Sequence, residues 1–184
     1  PSSDTYRGPA HFSEPELQAI DAFMRSHNIK SCLNYHTYGN YLIYPWGYLS
    51  RENGDSLIYR DWAYDMTALN RFTNGTDQQT VAYSTRGNSD DYMFGDTTKP
   101  ITYTMTPEVG TSQEGGFWPP STLILPLAVK TLPMNKHLAY VAGQFTTVVS
   151  YTVQDAGGDG FLNRGESFVL MARVKNKGLT PGNA

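Results

Sequence analysis

The stretch LNYHTYGNYLIYPWGY, Leu33–Tyr48, predicts two strands of a buried sheet with a histidine at the turn between them. IKSCLNYH before the turn and YLIYPW after it are apolar, aromatic runs of strand length, and Gly39 and Asn40 supply the turn. His36 closes the first run beside a polar segment. Two interpretations of His36 remain open: a core histidine hydrogen-bonded to the backbone, or a ligand of a metal ion.

Helical patterns flank these strands. FSEPELQAIDAFMRSH predicts a helix that Ser13 caps, with Glu16 completing a capping box. DSLIYRDWAYDMTALNRF predicts a second helix, which TNGT ends. Residues 121 to about 145 predict two further helical pieces, interrupted by Pro126 and Pro133.

The segment between the second helix and these pieces has a different composition. Residues 73–100 are rich in Gly, Asp, Asn, Ser and Thr and predict a long surface loop, which is uncommon unless functional. ITYTMT then predicts a strand that ends at Pro107-Glu108. Strands that alternate with helices predict a layered α/β domain over residues 1–146.

The pattern changes near position 147. TTVVSYTVQDAGGDGFLNRGESFVLMARVKNKG predicts strand, turn and strand, so we expect residues 147–184 to be the first strands of a truncated, immunoglobulin-like β-sandwich. The chain is accordingly expected to be a piece of a longer protein. DAGGDGFLNRGE also has most of a calcium-loop spacing, in which the candidate ligands are Asp155, Asp159, Asn163 and Glu166. Gly157 stands where a further ligand belongs, and the strand-like flanks favour a plain Gly-rich turn.

Composition excludes several classes of function. The 184 residues carry a net charge of −3, with no basic stripe, which argues against binding of nucleic acid or of an anionic membrane. No apolar run reaches the roughly 18 residues that a membrane span needs. The single cysteine, Cys32, permits neither an internal disulfide nor a thiolate metal cluster. HFSE, residues 11–14, has an H-x-x-E spacing, but its Ser and Glu belong to the predicted helix start.

Four segments in order resemble the zinc carboxypeptidases of the carboxypeptidase A and carboxypeptidase T type. They are DTYRGPAHFSEPE, HTYGNYLIYPWGY, VAYSTRGNSDDY and TYTMTPEVGTSQEGGFWPP, and the resemblance covers residues 1 to about 146. It implies the C-terminal half of a three-layer α/β/α fold with a mixed sheet. It also implies non-proline cis peptides at Thr37-Tyr38 and Pro45-Trp46. The implied activity is removal of C-terminal residues from peptides and proteins.

The same resemblance implies a zinc site that this chain shares with residues outside it. His36 is similar to the family's second zinc histidine, whereas the H-x-x-E ligands and the arginines that bind substrate would precede Pro1. Residues 1–184 alone are therefore expected to be inactive. Glu108 matches the family's catalytic glutamate, a general base toward the zinc-bound water. From its spacing alone, Glu108 could equally be a structural carboxylate paired with a base.

The remaining implied site residues bind substrate. Tyr83 resembles the mobile tyrosine that contacts the terminal carboxylate, and Tyr38 and Phe117 resemble residues that line subsites. Asp90 matches the floor of the side-chain pocket, which predicts a preference for C-terminal Arg or Lys; a slip of one residue would give this role to Asp91.

Three functional classes follow from these patterns. The favoured one is a secreted or cell-surface zinc carboxypeptidase, an inference from the family and from the β-rich tail. The alternative is a non-catalytic extracellular binding module on the same scaffold. An intracellular deacylase fits less well, because the YRGP segment and the Tyr83 loop belong to the peptidase branch.

Overall fold

The computed structural model describes residues 2–3 and 6–182 and contains two compact units, Pro1–Ala139 and Tyr140–Ala184. The first unit is built on a four-stranded sheet in the order β1-β4-β2-β3. Strand β4 runs parallel to β1 and antiparallel to β2, which is parallel to β3. The sheet is therefore mixed, as the resemblance to the family implies. Its strands are β1 (Ser31–Leu33), β2 (Tyr41–Ile43), β3 (Thr73–Gly75) and β4 (Tyr103–Glu108).

Five α-helices accompany the sheet. They are α1 (Pro15–Ser26), α2 (Ser56–Thr67), α3 (Asp77–Thr80), α4 (Ser89–Gly95) and α5 (Ile124–Val141). Short 3₁₀ helices span Ser112–Glu114 and Ser121–Leu123. The alternation of helix and strand confirms the α/β class.

The core of the first unit is aromatic and sulfur-rich. Tyr59 and Trp62 of α2 are buried, and Tyr59 stacks on Tyr44 with ring centroids 5.3 Å apart. Leu42 of β2 and Met105 of β4 are buried with them. Burial of one such side chain stabilises the fold by about 1.5–3 kcal/mol. This packing covers β4, which lies between β1 and β2 in the sheet.

The predicted N-cap of α1, Ser13, was wrong. Glu14 occupies the N-cap position without a side-chain cap hydrogen bond, and the Ser13 hydroxyl instead donates to the Glu14 carboxylate at 2.9 Å. The helix begins at Pro15 because proline has no backbone N–H to leave unsatisfied in the first turn.

The predicted loop over residues 73–100 was also wrong. TNG forms strand β3 rather than only ending α2, and two short helices follow it. Their polar residues act as caps: Thr76 and Gln79 form a capping box on α3, and the Asn88 side chain accepts from the Asp91 N–H on α4. Such side chains favour both turns and helix starts, so composition alone cannot separate the two.

Helix α5 is continuous, although two helical pieces are predicted there. Pro126 lies in its first turn, where a missing N–H costs little, and Pro133 lies inside the helix. Thr131 and Met134, on either side of Pro133, are buried. Their burial offsets the backbone hydrogen bond that Pro133 cannot make.

The second unit contains strands β5 (Thr146–Asp155) and β6 (Phe168–Asn176), which pair antiparallel with an irregularity between Val148 and Ser150. The predicted strand, turn and strand are confirmed. That these strands open a β-sandwich stays a prediction. No helix in the described part of the chain is long and apolar enough to cross a membrane.

Candidate active site

Backbone pairing places His36 beside Glu108. Strand β1 ends three residues before His36, and the parallel strand β4 ends at Glu108. The His36 N–H donates to the Pro107 carbonyl at 2.9 Å, and the Val109 N–H donates to the His36 carbonyl at 2.9 Å. This isolated parallel bridge places the imidazole of His36 and the carboxylate of Glu108 beside each other, at the C-terminal ends of β1 and β4.

Both side chains line a cavity of about 350 Å³, called the acidic cavity below. Its wall combines residues from the sheet with residues from the segment between β3 and α4. The wall includes His36, Asp77, Tyr83, Asp90, Thr106 and Glu108.

The surroundings of Glu108 raise the proton affinity of its carboxyl group. Burial raises the pKa of its carboxyl group, the neighbouring His36 opposes that rise, and the charge of Asp77 adds to it. A carboxylate that is half-buried and faces a cavity can take a proton from a bound molecule more readily than an exposed one.

Asp90 lies in the first turn of α4 and is only 6% exposed. Its two carboxylate oxygens accept hydrogen bonds from the hydroxyls of Thr104 and Thr106, each at 2.8 Å. Burial nevertheless raises its pKa to about 7. The alternating threonines of β4 therefore hold a carboxyl group that costs free energy to ionise without a cation nearby.

Asp91 has a different environment from its neighbour. Its carboxylate accepts from the backbone N–H groups of Gly47 at 2.9 Å and Tyr48 at 3.1 Å. Asp91 is not in the wall of the acidic cavity, whereas Asp90 is. The hydrogen bonds of Asp91 join α4 to the segment after β2.

The aromatic candidates divide into two groups. Tyr83 lies in the wall of the acidic cavity and is 60% exposed. Tyr38 and Phe117 lie outside that wall and pack edge to face, with ring centroids 4.8 Å apart. The peptides Thr37-Tyr38 and Pro45-Trp46 are both cis, as expected.

Asp77 is a wall residue that sequence reasoning missed. It begins α3, is 6% exposed, and accepts a hydrogen bond from the Thr85 hydroxyl. Burial raises its pKa. The only local signal was an acidic residue after a capping threonine, which is usual for any helix start.

His36 fits one position of a metal site. Its side chain is exposed and lines the acidic cavity, so the imidazole is accessible. Within residues 2–3 and 6–182, no group of three or more His, Cys, Asp or Glu side chains could hold a metal ion. A zinc site with His36 and two further protein ligands would thus need a ligand from outside the described part of the chain.

The predicted calcium loop uses its carboxylates within the turn. Asp155 Oδ2 accepts from the N–H groups of Asp159 at 2.9 Å and Gly160 at 3.3 Å. Glu166 Oε2 accepts from the Asn163 N–H at 2.9 Å. These bonds stabilise the turn between β5 and β6 and neither require nor exclude calcium, so the site stays a prediction.

Comparison with known proteins identifies relatives over most of the chain. The family profile described as zinc carboxypeptidase matches residues 1–134. Dog carboxypeptidase B is 32% identical over 147 residues, covering 76% of this chain and 34% of that protein. Rat carboxypeptidase A1 is 32% identical over 138 residues, covering 71% of this chain and 32% of that protein. The chain thus spans about a third of the length of the relatives it matches.

Solved structures agree with the sequence matches. Bovine thrombin-activatable fibrinolysis inhibitor, in complex with tick carboxypeptidase inhibitor, superimposes with a TM-score of 0.62 and 28% identity. That match covers 74% of this chain and 48% of the other. Carboxypeptidase A from Helicoverpa armigera gives a TM-score of 0.60 at 18% identity, over 74% of this chain and 36% of the other, a likeness of fold. With its mixed sheet and the matched profile, this chain belongs to the zinc carboxypeptidase family.

Proposed function

We propose that the protein containing this chain is a zinc-dependent carboxypeptidase that removes Arg or Lys from the C-termini of peptides and proteins. The observation that carries the proposal is the meeting of His36, Glu108 and Asp90 at one cavity. An imidazole, a carboxylate of raised pKa and a buried carboxylate are the groups needed for metal binding, proton transfer and recognition of a cation.

Proton transfer is the role of Glu108. A zinc ion held by His36 and by two ligands outside residues 1–184 would lower the pKa of a water molecule and polarise the scissile carbonyl. Glu108 accepts a proton from the attacking water and delivers it to the nitrogen of the leaving amino acid. Its partly buried position keeps the proton on the carboxyl group between these two transfers.

Substrate recognition is the role of the other wall residues. Asp90 pairs with the cationic side chain of the C-terminal residue, and an apolar side chain would leave this carboxylate buried and unpaired. The hydroxyl of Tyr83 donates a hydrogen bond to the terminal carboxylate of the substrate. Tyr38 and Phe117, which pack on each other, bind residues further from the C-terminus.

The proposal extends to the environment of the protein. Residues 1–184 alone are inactive, because His36 cannot hold a catalytic zinc without further ligands. The intact protein is secreted or displayed at the cell surface.

We also propose a calcium site formed by Asp155, Asp159, Asn163 and Glu166. A calcium ion bound there would raise the melting temperature at millimolar calcium, and an unchanged melting temperature would refute this site.

A non-catalytic extracellular binding module is the second candidate. It is favoured by one observation, that no group of three or more His, Cys, Asp or Glu side chains among the described residues could hold a metal ion. On this hypothesis, the acidic cavity would bind a basic C-terminus without cleaving it. The absence of an H-x-x-E motif upstream of Pro1 in the intact protein would support the module.

Substitution of Glu108 separates the two candidates. In the intact zinc-loaded protein, Glu108→Gln should lower kcat for a substrate ending in Arg by roughly 10²–10⁴-fold, because the proton acceptor is lost. Zinc content, measured by metal analysis, and melting temperature serve as controls and should stay unchanged. Equal kcat values for the variant and the unaltered protein would show that Glu108 is not the base.

A further inference from the structure

Asp77 gives the acidic cavity a second deeply buried carboxylate on its wall. Its side chain and that of Asp90 come from different elements, α3 and α4, and each residue is only 6% exposed. No motif in the sequence connects these two residues. Only the fold brings them to the same cavity as Glu108.

The carboxylate of Asp77 is held by a short chain of hydrogen bonds. The Asn88 amide donates to the Thr85 hydroxyl at 2.7 Å, and that hydroxyl donates to Asp77 Oδ2. A Cβ at Gly47 would lie 2.5 Å from Thr85 Oγ1 and 2.9 Å from Asp77 Oδ2, so only glycine leaves room for this arrangement. Each carboxylate oxygen can accept more than one hydrogen bond, so Asp77 keeps capacity for a ligand.

The charge balance of the cavity calls for a cationic ligand. Asp77, Asp90 and Glu108 lie in its wall, and no lysine or arginine does among the described residues; the basic side chain of His36 also lies in the wall, beside Glu108. Burial raises the pKa of Asp90 to about 7, and the neighbouring charges of Asp77 and Asp91 add to the rise. Buried like charges repel, and a bound cation relieves that repulsion.

From this arrangement we infer that Asp77 is a specificity-determining residue, which with Asp90 makes the pocket select a C-terminal arginine over a lysine. This inference rests on the proposed function. A guanidinium group presents five donors in a plane and can face two carboxylates at once. An ammonium group is a compact point charge that loses more hydration on entering a buried site.

The test compares substrates in the intact, zinc-loaded protein. Blocked dipeptides that end in Arg or Lys are assayed with the unaltered protein and with Asp77→Asn. The unaltered protein should show the higher kcat/KM for Arg, and the substitution should lower the Arg-to-Lys ratio of kcat/KM by about tenfold. Asparagine can still accept from Thr85, so the change removes the charge and preserves the hydrogen bond.

A matched control is Glu16→Gln, which removes a charge from the exposed first turn of α1, outside the cavity wall. It should leave the Arg-to-Lys ratio unchanged. An unchanged Arg-to-Lys ratio of kcat/KM in Asp77→Asn, with a melting temperature showing that the variant is folded, would overturn the inference. Asp77 would then only accept the hydrogen bond from Thr85.

The unaltered protein provides a second measurement that needs no variant. Free L-arginine should inhibit hydrolysis at a concentration about tenfold lower than free L-lysine does. Equal inhibition by both amino acids would overturn the inference while leaving the proposed function intact. Release of neither Arg nor Lys would refute the proposed function, and the inference with it.

Discussion

Asp90, the residue proposed to recognise a basic C-terminal side chain, opposes the stability of the fold when it is ionised. Its carboxyl group has a pKa of about 7 in the folded chain, against a usual value of 3.8, chiefly because it is buried. Between these two pH values the folded state retains a proton that the unfolded state releases. The stability that this proton contributes is fully present below about pH 3.8 and is lost as the pH rises to about 7.

Replacement of Asp90 by Asn should therefore stabilise the protein at pH 8. Urea unfolding should show a gain in unfolding free energy of roughly 1–4 kcal/mol at pH 8, shrinking toward zero near pH 4. The same variant should lose much of its preference for basic C-terminal residues, because one of the two deeply buried carboxylates of the acidic cavity is gone.

Asp96→Asn is the control for this prediction. The hydrogen bonds from Thr98 lower the pKa of the Asp96 carboxyl group, so its neutralisation should give no gain in stability at pH 8. A gain in Asp96→Asn equal to that in Asp90→Asn, or no gain in either variant, would contradict the account of Asp90.

That several candidate site residues lie close together could be predicted from the sequence, because each stands in a segment that resembles the family. His36, Tyr83, Asp90 and Glu108 do lie together at one cavity. Asp77 could not be predicted, because its role depends on α3 turning back toward the sheet inside a segment that composition assigns to a loop.

At the scale of elements, α4 depends on its cap. The Asn88 side chain accepts from the Asp91 N–H at 2.8 Å and donates to the Thr85 hydroxyl at 2.7 Å. One residue thus starts the helix that carries Asp90 and also fixes the hydrogen bond to Asp77. A change here should affect both stability and substrate binding.

Asn88→Ala should lower the unfolding free energy by about 1 kcal/mol, since the first turn of α4 loses its acceptor. Asn88→Asp keeps that acceptor but lacks the amide donor to Thr85, so it should recover most of the stability. Both variants are compared by chemical denaturation. If Asn88→Asp is as destabilised as Asn88→Ala, the helix cap is not the main contribution of this side chain.

The elements differ in how far local sequence determines them. Strand β4 was predictable because threonines alternate with Tyr103 and Met105 over its first four residues. Strand β3 was not, because TNG has a turn composition and becomes a strand only by pairing with β2. The continuity of α5 through Pro133 likewise depends on packing that no local pattern records.

For the whole molecule, the α/β class and the mixed sheet followed from the alternation of elements and the resemblance to the family. The order of the strands in the sheet could not be predicted in this way, because β4 inserts between β1 and β2, which are consecutive in the chain. A local pattern finds strands but does not say which of them pair. The domain that β5 and β6 belong to depends on partners that two strands cannot reveal.

The central claim is that this chain contributes His36, Glu108 and Asp90 to a zinc carboxypeptidase site for basic residues. The most direct test is hydrolysis of blocked dipeptides ending in Arg or in Phe by the intact protein, with and without a zinc chelator. The account predicts release of Arg well above that of Phe, abolished by the chelator and restored by zinc. Equal turnover of both substrates would contradict the role of Asp90, and no release by the folded, zinc-loaded protein would contradict the peptidase itself.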